Sequence, residues 1–346
     1  MNASRLQDRS HLHAGVLGVR PLSCSSDLAA LVDLVNASAA HEPTENLTTI
    51  KELQADLARP NIDLEENGVV LEANGRVIGF AALLVGPGAD AVQADLWMRV
   101  HPEAVDSSRV LLDWALERAT QIAGSENSPV DLLALVGESQ SRLSRLLRRQ
   151  GFAVVRIFAQ LHRHLSEPLP DADLPQGLLL RALTGIEELD AWFELFQASF
   201  ADHWRPPRMT LAEARHFVQQ DPSYRPASDL VAIAPDGTFA ALCQCVVRSE
   251  ENAATGRADG WIAWLGVSPK YRRLGLGRAM LLCGMKRLAV EGLTCVRLGV
   301  DAANPTGAFR LYESLGFSTA HRRQAYLRRC LQATSGASRV ATVPIT

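Results

Sequence analysis

The residues best placed to do chemistry stand in the run Val267-Ser-Pro-Lys-Tyr-Arg-Arg-Leu-Gly-Leu-Gly-Arg-Ala279, where an apolar strand pattern meets Gly275 and Gly277 and passes into a helical pattern. A helix start leaves its first backbone N–H groups without partners, and the helix dipole adds partial positive charge there. Glycine lets an anion approach that backbone closely, so the run reads as a cradle for phosphate, with Arg272, Arg273 and Arg278 adding charge. Its plain alternative is a helix entry turn. Cys243-Gln-Cys245 raises the question of a metal, but in a strand both cysteines would share one face, and no nearby Cys or His pair completes four ligands. No metal is expected.

A second stretch lies downstream: Asp301-Ala-Ala-Asn-Pro-Thr-Gly-Ala-Phe-Arg-Leu-Tyr-Glu-Ser-Leu-Gly-Phe317. Taken alone, Asn304-Pro305 is a turn and helix start, and Tyr312 is an aromatic residue packing from an amphipathic helix. Taken with the first stretch, the pattern is specific. Arg272-Arg-Leu-Gly-Leu-Gly277 resembles the Gln/Arg-x-x-Gly-x-Gly/Ala signature of the GNAT superfamily of N-acyltransferases. The downstream segment resembles that family's second conserved stretch, with Asn304 after a strand, Tyr312 on a helix and a closing Gly-Phe pair. The likeness is clearest over residues 261–327 and extends more weakly over 178–330.

The resemblance implies an N-acetyltransferase that uses acetyl-CoA as co-substrate and passes the acetyl group to a primary amine by direct attack in a ternary complex. It places the pyrophosphate against Arg272, Arg273, Leu274, Gly275, Leu276, Gly277 and Arg278, and the pantetheine arm along Leu265, Gly266 and Val267. A backbone N–H on that strand would polarise the thioester carbonyl, where negative charge develops. Asn304 would contact the pantetheine arm or position the next helix, and Tyr312 would protonate the departing thiolate. The general base is open. Trp261 to Val267 contains no acidic residue where many relatives place a carboxylate; Asp259 is the nearest candidate, with Glu250, Glu251, Asp202, His203 or a water chain as alternatives. Phe200-Ala-Asp-His-Trp204 is a candidate acceptor wall.

The elements that must hold these residues read as a twice-used α/β pattern. In the second half the order is strand Leu178 to Leu183, helix Ile186 to Phe200, a helix from Thr210 with Glu213 three residues on, and strand, turn and strand around Asp236-Gly237. A polar loop, Glu250 to Gly260, precedes the strand Trp261 to Val267; helix 276–291, strand Cys295 to Val300, helix Pro305 to Leu315 and strand 320–327 follow. The first half repeats this order from a strand near Val16 to a strand Phe152 to Leu161. Val100-His-Pro102 matches Val267-Ser-Pro269, and Gln150-Gly-Phe152 matches Leu315-Gly-Phe317, with Pro-to-Gly separations of 49 and 47 residues. On these anchors Arg272, Gly275 and Gly277 fall opposite Val105, Ser108 and Val110, and Asn304 and Tyr312 fall opposite Ser139 and Leu147. The first half has lost the groups that carry the chemistry.

The expected fold class is therefore α/β: two tandem GNAT-like domains, each a twisted mixed β-sheet flanked by helices. Residues 14–165 are expected to form a degenerate domain that supports the active one or walls its substrate cleft, 166–177 a proline-rich acidic linker, 178–330 the catalytic domain and 331–346 a flexible tail. The chain has 346 residues, 47% hydrophobic and 21% charged, which suits two globular cores and excludes fibrous and disordered classes. No stretch approaches 18 apolar residues and the first ten are polar, so neither membrane span nor signal peptide is expected. Six cysteines are too few for a disulfide scaffold and point to a reducing cytoplasm. Residues 261–330 hold twelve Lys or Arg and three Asp or Glu, a local +9 against a chain total of −3. Several of those arginines belong to the phosphate turn and no aromatic platform is interleaved, so nucleic acid is not an expected partner. The expected partner is a small-molecule or peptide amine, the chain acting as a monomer or homodimer; the competing reading is a non-catalytic acyl-CoA-binding regulatory module.

Overall fold

The computed structural model describes residues 17–42, 46–60, 62–304 and 307–332. The expected domain start at residue 14, the strand near Val16, the helix start at Pro305 and the tail from residue 333 lie outside the described residues. The chain divides into two compact units that are not consecutive stretches: one ends at Ile157 and resumes at Arg322, and the other runs Phe158–His321.

In the first unit the order is β1 (Leu17–Pro21), α1 (Leu28–Ala39), α2 (Ile50–Leu57), α3 (Leu64–Asn67), β2 (Gly68–Ala73), β3 (Arg76–Gly86), β4 (Val92–Val100), α4 (Ser108–Ser125), β5 (Val130–Gly137), α5 (Ser141–Arg149) and the start of β6 (Ala153–His164). The second unit takes the rest of β6, then β7 (Leu179–Ala182), α6 (Leu189–Phe200), α7 (Leu211–Gln220), β8 (Tyr224–Ile233), β9 (Phe239–Val246), α8 (Ser249–Thr255), β10 (Asp259–Val267), α9 (Leu276–Val290), β11 (Cys295–Asp301) and α10 (Ala308–Ser314). The final strand, β12 (Ser318–Cys330), begins there and returns to the first unit.

Both units share one sheet plan, mixed and flanked by helices. The first has β1-β2-β3-β4-β5-β12, with β4 and β5 parallel; the second has β7-β8-β9-β10-β11-β6, with β10 and β11 parallel. Each sheet is finished by the strand that belongs, in sequence, to the other half. Arg323–Cys330 of β12 pair with Gly137–Val130 of β5, and Phe158–His164 of β6 pair with Asp301–Cys295 of β11. Alternation along β6 and β12 names their buried faces but not their neighbours, which is why the exchange is absent from the pattern. Residues 166–177 contain no helix or strand and lie within the second unit, where Leu169, Ala172 and Leu174 pack against its core.

In the second unit two apolar layers sandwich the sheet. One face packs on α9 and α10 through Cys243, Met280, Met285, Val296, Leu298 and Tyr312; the other packs on α6 and α7 through Trp192, Phe196, Val231 and Leu242. The Thr210 and Glu213 capping box forms as the spacing predicts, Glu213 N–H donating to Thr210 Oγ1 at 3.2 Å and Thr210 N–H to Glu213 Oε2 at 2.7 Å. Asp236-Gly237 makes the expected turn, with Gly237 at φ +86°. The expected polar loop Glu250 to Gly260 is a loop only at residues 256–258; α8 precedes it and the first two residues of β10 follow. Gly256, left-handed at φ +65°, ends that helix, and Asn252 holds the next strand by accepting from Asp259 N–H and donating to its carbonyl at 2.8 Å.

Cys243 and Cys245 do share one face of β9, and both press on Gly284 of α9. A Cβ on Gly284 would lie 2.6 Å from Cys243 Sγ, 2.9 Å from Ile262 Cδ1 and 3.2 Å from Cys245 Sγ, so this glycine sets how closely α9 seats on the sheet. Gly284→Ala is expected to cost about 1–3 kcal/mol through overpacking. A lowered denaturant midpoint at unchanged slope would show it, and an unchanged midpoint would contradict this packing.

Candidate functional site

The site is built where two parallel strands part. β10 pairs with β11 only from Asp259 to Ile262, although β11 continues to Asp301 on its other neighbour, β6. The register of β10 on β9 shifts between Ile262 and Trp264, a bulge that turns the strand away from β11. From residue 263 onward the edge of β10 facing β11 therefore has no ladder partner, and its backbone is left for something else to satisfy. Ala263 is exposed at the mouth of this gap, and no described residue lies within 4 Å of where a Cβ on Gly299 would be.

Leu265, Gly266 and Val267 line the unpaired half of β10. Leu265 and Val267 pack toward the α9 and α10 core, while Gly266 faces α6, where a Cβ would meet Ser199 Cβ at 2.9 Å and Oγ at 3.0 Å. The strand then enters the arginine turn. Arg273 is left-handed at φ +65° and Gly275, at φ +80°, begins α9 with no described residue within 4 Å of a Cβ there. The first intrahelical bond runs from Ala279 N–H to Gly275 C=O at 3.1 Å, so the N–H groups of Leu276, Gly277 and Arg278 precede it and face the helix end. Leu276 buries its side chain in the core, and Leu274 stands exposed. Gly277 brings the helix start onto Val267 and Leu311, with a Cβ position 3.6 and 3.9 Å from their methyl carbons. The turn, the end of β10 and α10 thus meet at one point.

Tyr312 sits one residue beyond that contact, buried, with its ring 6.0 Å from Phe317. Burial, and then the neighbouring Cys243, push its hydroxyl up to about 12, so it stays a protonated phenol at neutral pH. Asn304 lies in the turn after β11, its N–H donating to Asp301 C=O at 3.0 Å. Asp259 is not brought to the gap. It stands at the start of β10, in the paired part of the strand, buried between Arg297 Nε at 2.6 Å and Arg257 Nε at 3.2 Å. Its carboxylate is occupied in holding β10 to β11 and to the turn that follows α8. Of the alternatives, Glu251 is buried against Arg257 at 2.8 Å and Glu250 is exposed on α8.

Arg272 is equally committed. It donates to Asp202 Oδ2 at 2.6 Å and to Ser199 C=O at 3.1 Å, which ties the turn to the carboxyl end of α6. The aromatic residues of α6 continue that link: Phe196 and Phe200 both meet Trp264, the first residue beyond the bulge, at 4.9 and 5.3 Å between ring centres.

Sequence reasoning missed the group that anchors α6. Asp229 of β8 has no exposed surface, and it accepts from Trp192 Nε1 at 3.1 Å and Gln244 Nε2 at 2.8 Å, with the Tyr224 hydroxyl as a third partner. Asp229 lies opposite Gln244, and Gln244 opposite Trp264, so the carboxylate supports the row of the sheet on which the gap opens. The sole trace in the sequence is an acidic residue at the head of an apolar strand. The matching positions of the first unit are built differently. Pro102–Ser107 form 3-10 turns kinked at Ala104 that lead into α4, and both the N–H and the hydroxyl of Ser108 bond back to Val105 C=O. Leu147 is fully buried and Ser139 bonds to Glu42.

A sequence profile of the Acetyltransferase (GNAT) family matches residues 189–317, which includes every element of this site. The mycothiol acetyltransferase of Thermobispora bispora is 37% identical over 175 residues, 51% of this chain and 58% of that protein, so the match spans little more than half of that relative. The mycothiol acetyltransferase of Frankia casuarinae is 32% identical over 259 residues, 73% of this chain and 72% of its own length. This chain belongs to the GNAT acetyltransferase family. A solved tandem GNAT protein from the clavulanic acid biosynthesis pathway shares the fold at TM-score 0.70 and 17% identity, over 92% of this chain and all of that one. Among the described residues of this GNAT chain, no helix is long and apolar enough to cross a membrane.

Burial pushes the Asp229 carboxyl up to about 6, against its hydrogen bonds, which pull the other way. A carboxyl raised in the fold favours its neutral form, so stability is lost as pH rises from the ordinary aspartate value near 4 through about 6. Asp229→Asn keeps acceptor and shape without the charge. Relative to wild type it is expected to gain up to about 3 kcal/mol between pH 4 and 7, read from denaturation midpoints. A difference independent of pH would contradict this.

Proposed function

We propose that this chain is an acetyl-CoA-dependent N-acetyltransferase, with its active site in the Phe158–His321 unit and a small-molecule primary amine as acceptor. The observation that carries the reading is the convergence of the unpaired half of β10, the open helix start at Gly275 and the buried phenol of Tyr312. These residues fit the co-substrate. A left-handed glycine, free first-turn N–H groups and the side chains of Arg273 and Arg278 suit a pyrophosphate, and a strand edge without a ladder partner suits the amide-bearing pantetheine arm. Acetyl-CoA supplies an acetyl group activated as a thioester.

In this reading, Leu265, Gly266 and Val267 orient the arm, and one of their N–H groups donates to the carbonyl oxygen as charge builds on it. Tyr312 gives its proton to the departing sulfur; held as a phenol by burial, it carries that proton across the physiological range. Asn304, in the turn after β11, positions the arm or the helix that bears Tyr312. The relatives' name, mycothiol acetyltransferase, supports acetyl transfer and a small acceptor. Six unpaired cysteines suit a reducing cytoplasm.

Calorimetric titration with acetyl-CoA tests the cradle. Wild type is expected to bind one equivalent, and Gly275→Glu, which adds a negative charge and a Cβ at φ +80°, to bind at least about tenfold more weakly. Tyr312→Phe is expected to keep the wild-type affinity while thiol release over a panel of primary amines, including glucosamine and lysine, falls about 100-fold or more. Binding without turnover on any amine would favour a non-catalytic acyl-CoA sensor. Absence of binding would overturn the proposal.

A further inference from the structure

We propose that His203, in the turn that closes α6, is the general base that deprotonates the acceptor amine; this rests on the acetyltransferase reading above. Its ring touches α6 directly and feels charges from β11 and from the turn before α9. It packs edge-on against Phe200 at 4.8 Å, and Phe200 packs on Trp264, where β10 leaves β11. Asp301, at the end of β11 on the opposite side of the gap, lies within electrostatic reach of the ring. Its own turn is fixed to the phosphate cradle, because Arg272 holds Asp202 and the carbonyl of Ser199. The imidazole is therefore stationed on the α6 side of the gap, while Tyr312 belongs to the core on the α9 and α10 side. A base and an acid on opposite faces of one opening are what attack and departure at a single carbonyl carbon require.

The charge environment suits the role. The groups facing His203 are Asp301 from β11, Arg272 from the turn before α9, and Asp202 beside it. Partial burial is the largest influence and holds the ring below the ordinary histidine value, with Arg272 acting the same way and the two carboxylates opposing. Among the described residues none hydrogen-bonds to the ring nitrogens, so the neutral ring has a free lone pair at pH 7. Asp259, by contrast, is engaged by two arginines.

The step balances as follows. A neutral ring nitrogen of His203 takes one proton from the acceptor ammonium and later releases it to water. The freed amine nitrogen bonds to the thioester carbonyl carbon and the carbon–sulfur bond breaks. Tyr312 passes its phenolic proton to the sulfur, and the second proton on the nitrogen restores the phenol.

The test compares wild type with His203→Asn on the panel amine turned over fastest. The variant is expected to bind acetyl-CoA within about twofold of wild type, to lose about 100-fold or more in kcat/KM, and to lose the acidic limb of the pH profile. In isotope-labelled wild-type protein, the histidine resonance missing from the variant is expected to titrate below about 6.5 and to shift when acetyl-CoA saturates the protein. A variant with wild-type rate and pH profile would overturn the proposal while leaving acetyl transfer intact. So would a ring that titrates at the ordinary value and ignores acetyl-CoA, a result that needs no amine. Failure of wild type to bind acetyl-CoA or to turn over any amine would instead remove the reading beneath it.

Discussion

Everything at the site depends on two parallel strands that stay paired for only four residues. β10 and β11 run together from Asp259 to Ile262, and the bulge that follows sends β10 toward β9 and away from β11. An unpaired strand edge inside a folded unit leaves backbone groups that must find a partner, and in the proposed function the pantetheine arm of acetyl-CoA is that partner. The bulge also turns Trp264 toward α6, and Gly266 lets Ser199 approach where a side chain would collide. A single backbone irregularity thus opens the floor of the gap and seats the helix that forms its wall.

The surrounding structure holds that opening rigid. On one side, Gly284 seats α9 tightly on Cys243 and Cys245, which fixes where the helix start and its free N–H groups lie. On the other, a buried carboxylate at Asp229 ties Trp192 of α6 to Gln244 of β9. Burying that charge is costly, and its three donors are what make the arrangement tolerable. β6 keeps β11 extended through Asp301 after β10 has departed, so the far wall of the gap is held by a strand encoded in the first half of the sequence.

Local structure is legible in the sequence wherever the conformation of a residue depends on its immediate neighbours. Gly275 and Gly277 between arginines, the Thr210–Glu213 capping box and the Asp236-Gly237 turn are short-range patterns, and each takes the conformation its pattern demands. What could not be read depends on partners distant along the chain. Asp259 looked available because nothing in the sequence shows that Arg297, 38 residues on, reaches back to it. Asp229 looked ordinary because Trp192 and Gln244 become its neighbours only when the sheet forms. The exchange of β6 and β12 escaped for a similar reason: a period of two tells which face is buried, not which strand lies alongside. α8 is not legible in the sequence because a seven-residue polar helix carries too little apolar signal to separate it from a loop.

The most direct test of the account is a crystal structure of the protein with acetyl-CoA. The account predicts the pyrophosphate against the backbone of residues 272–278, the pantetheine arm along Leu265 to Val267, and the acetyl carbonyl in the gap between β10 and Gly299. Density for acetyl-CoA at the Pro102–Ser107 turn of the first unit, or anywhere else outside the β10 and β11 gap, would contradict it.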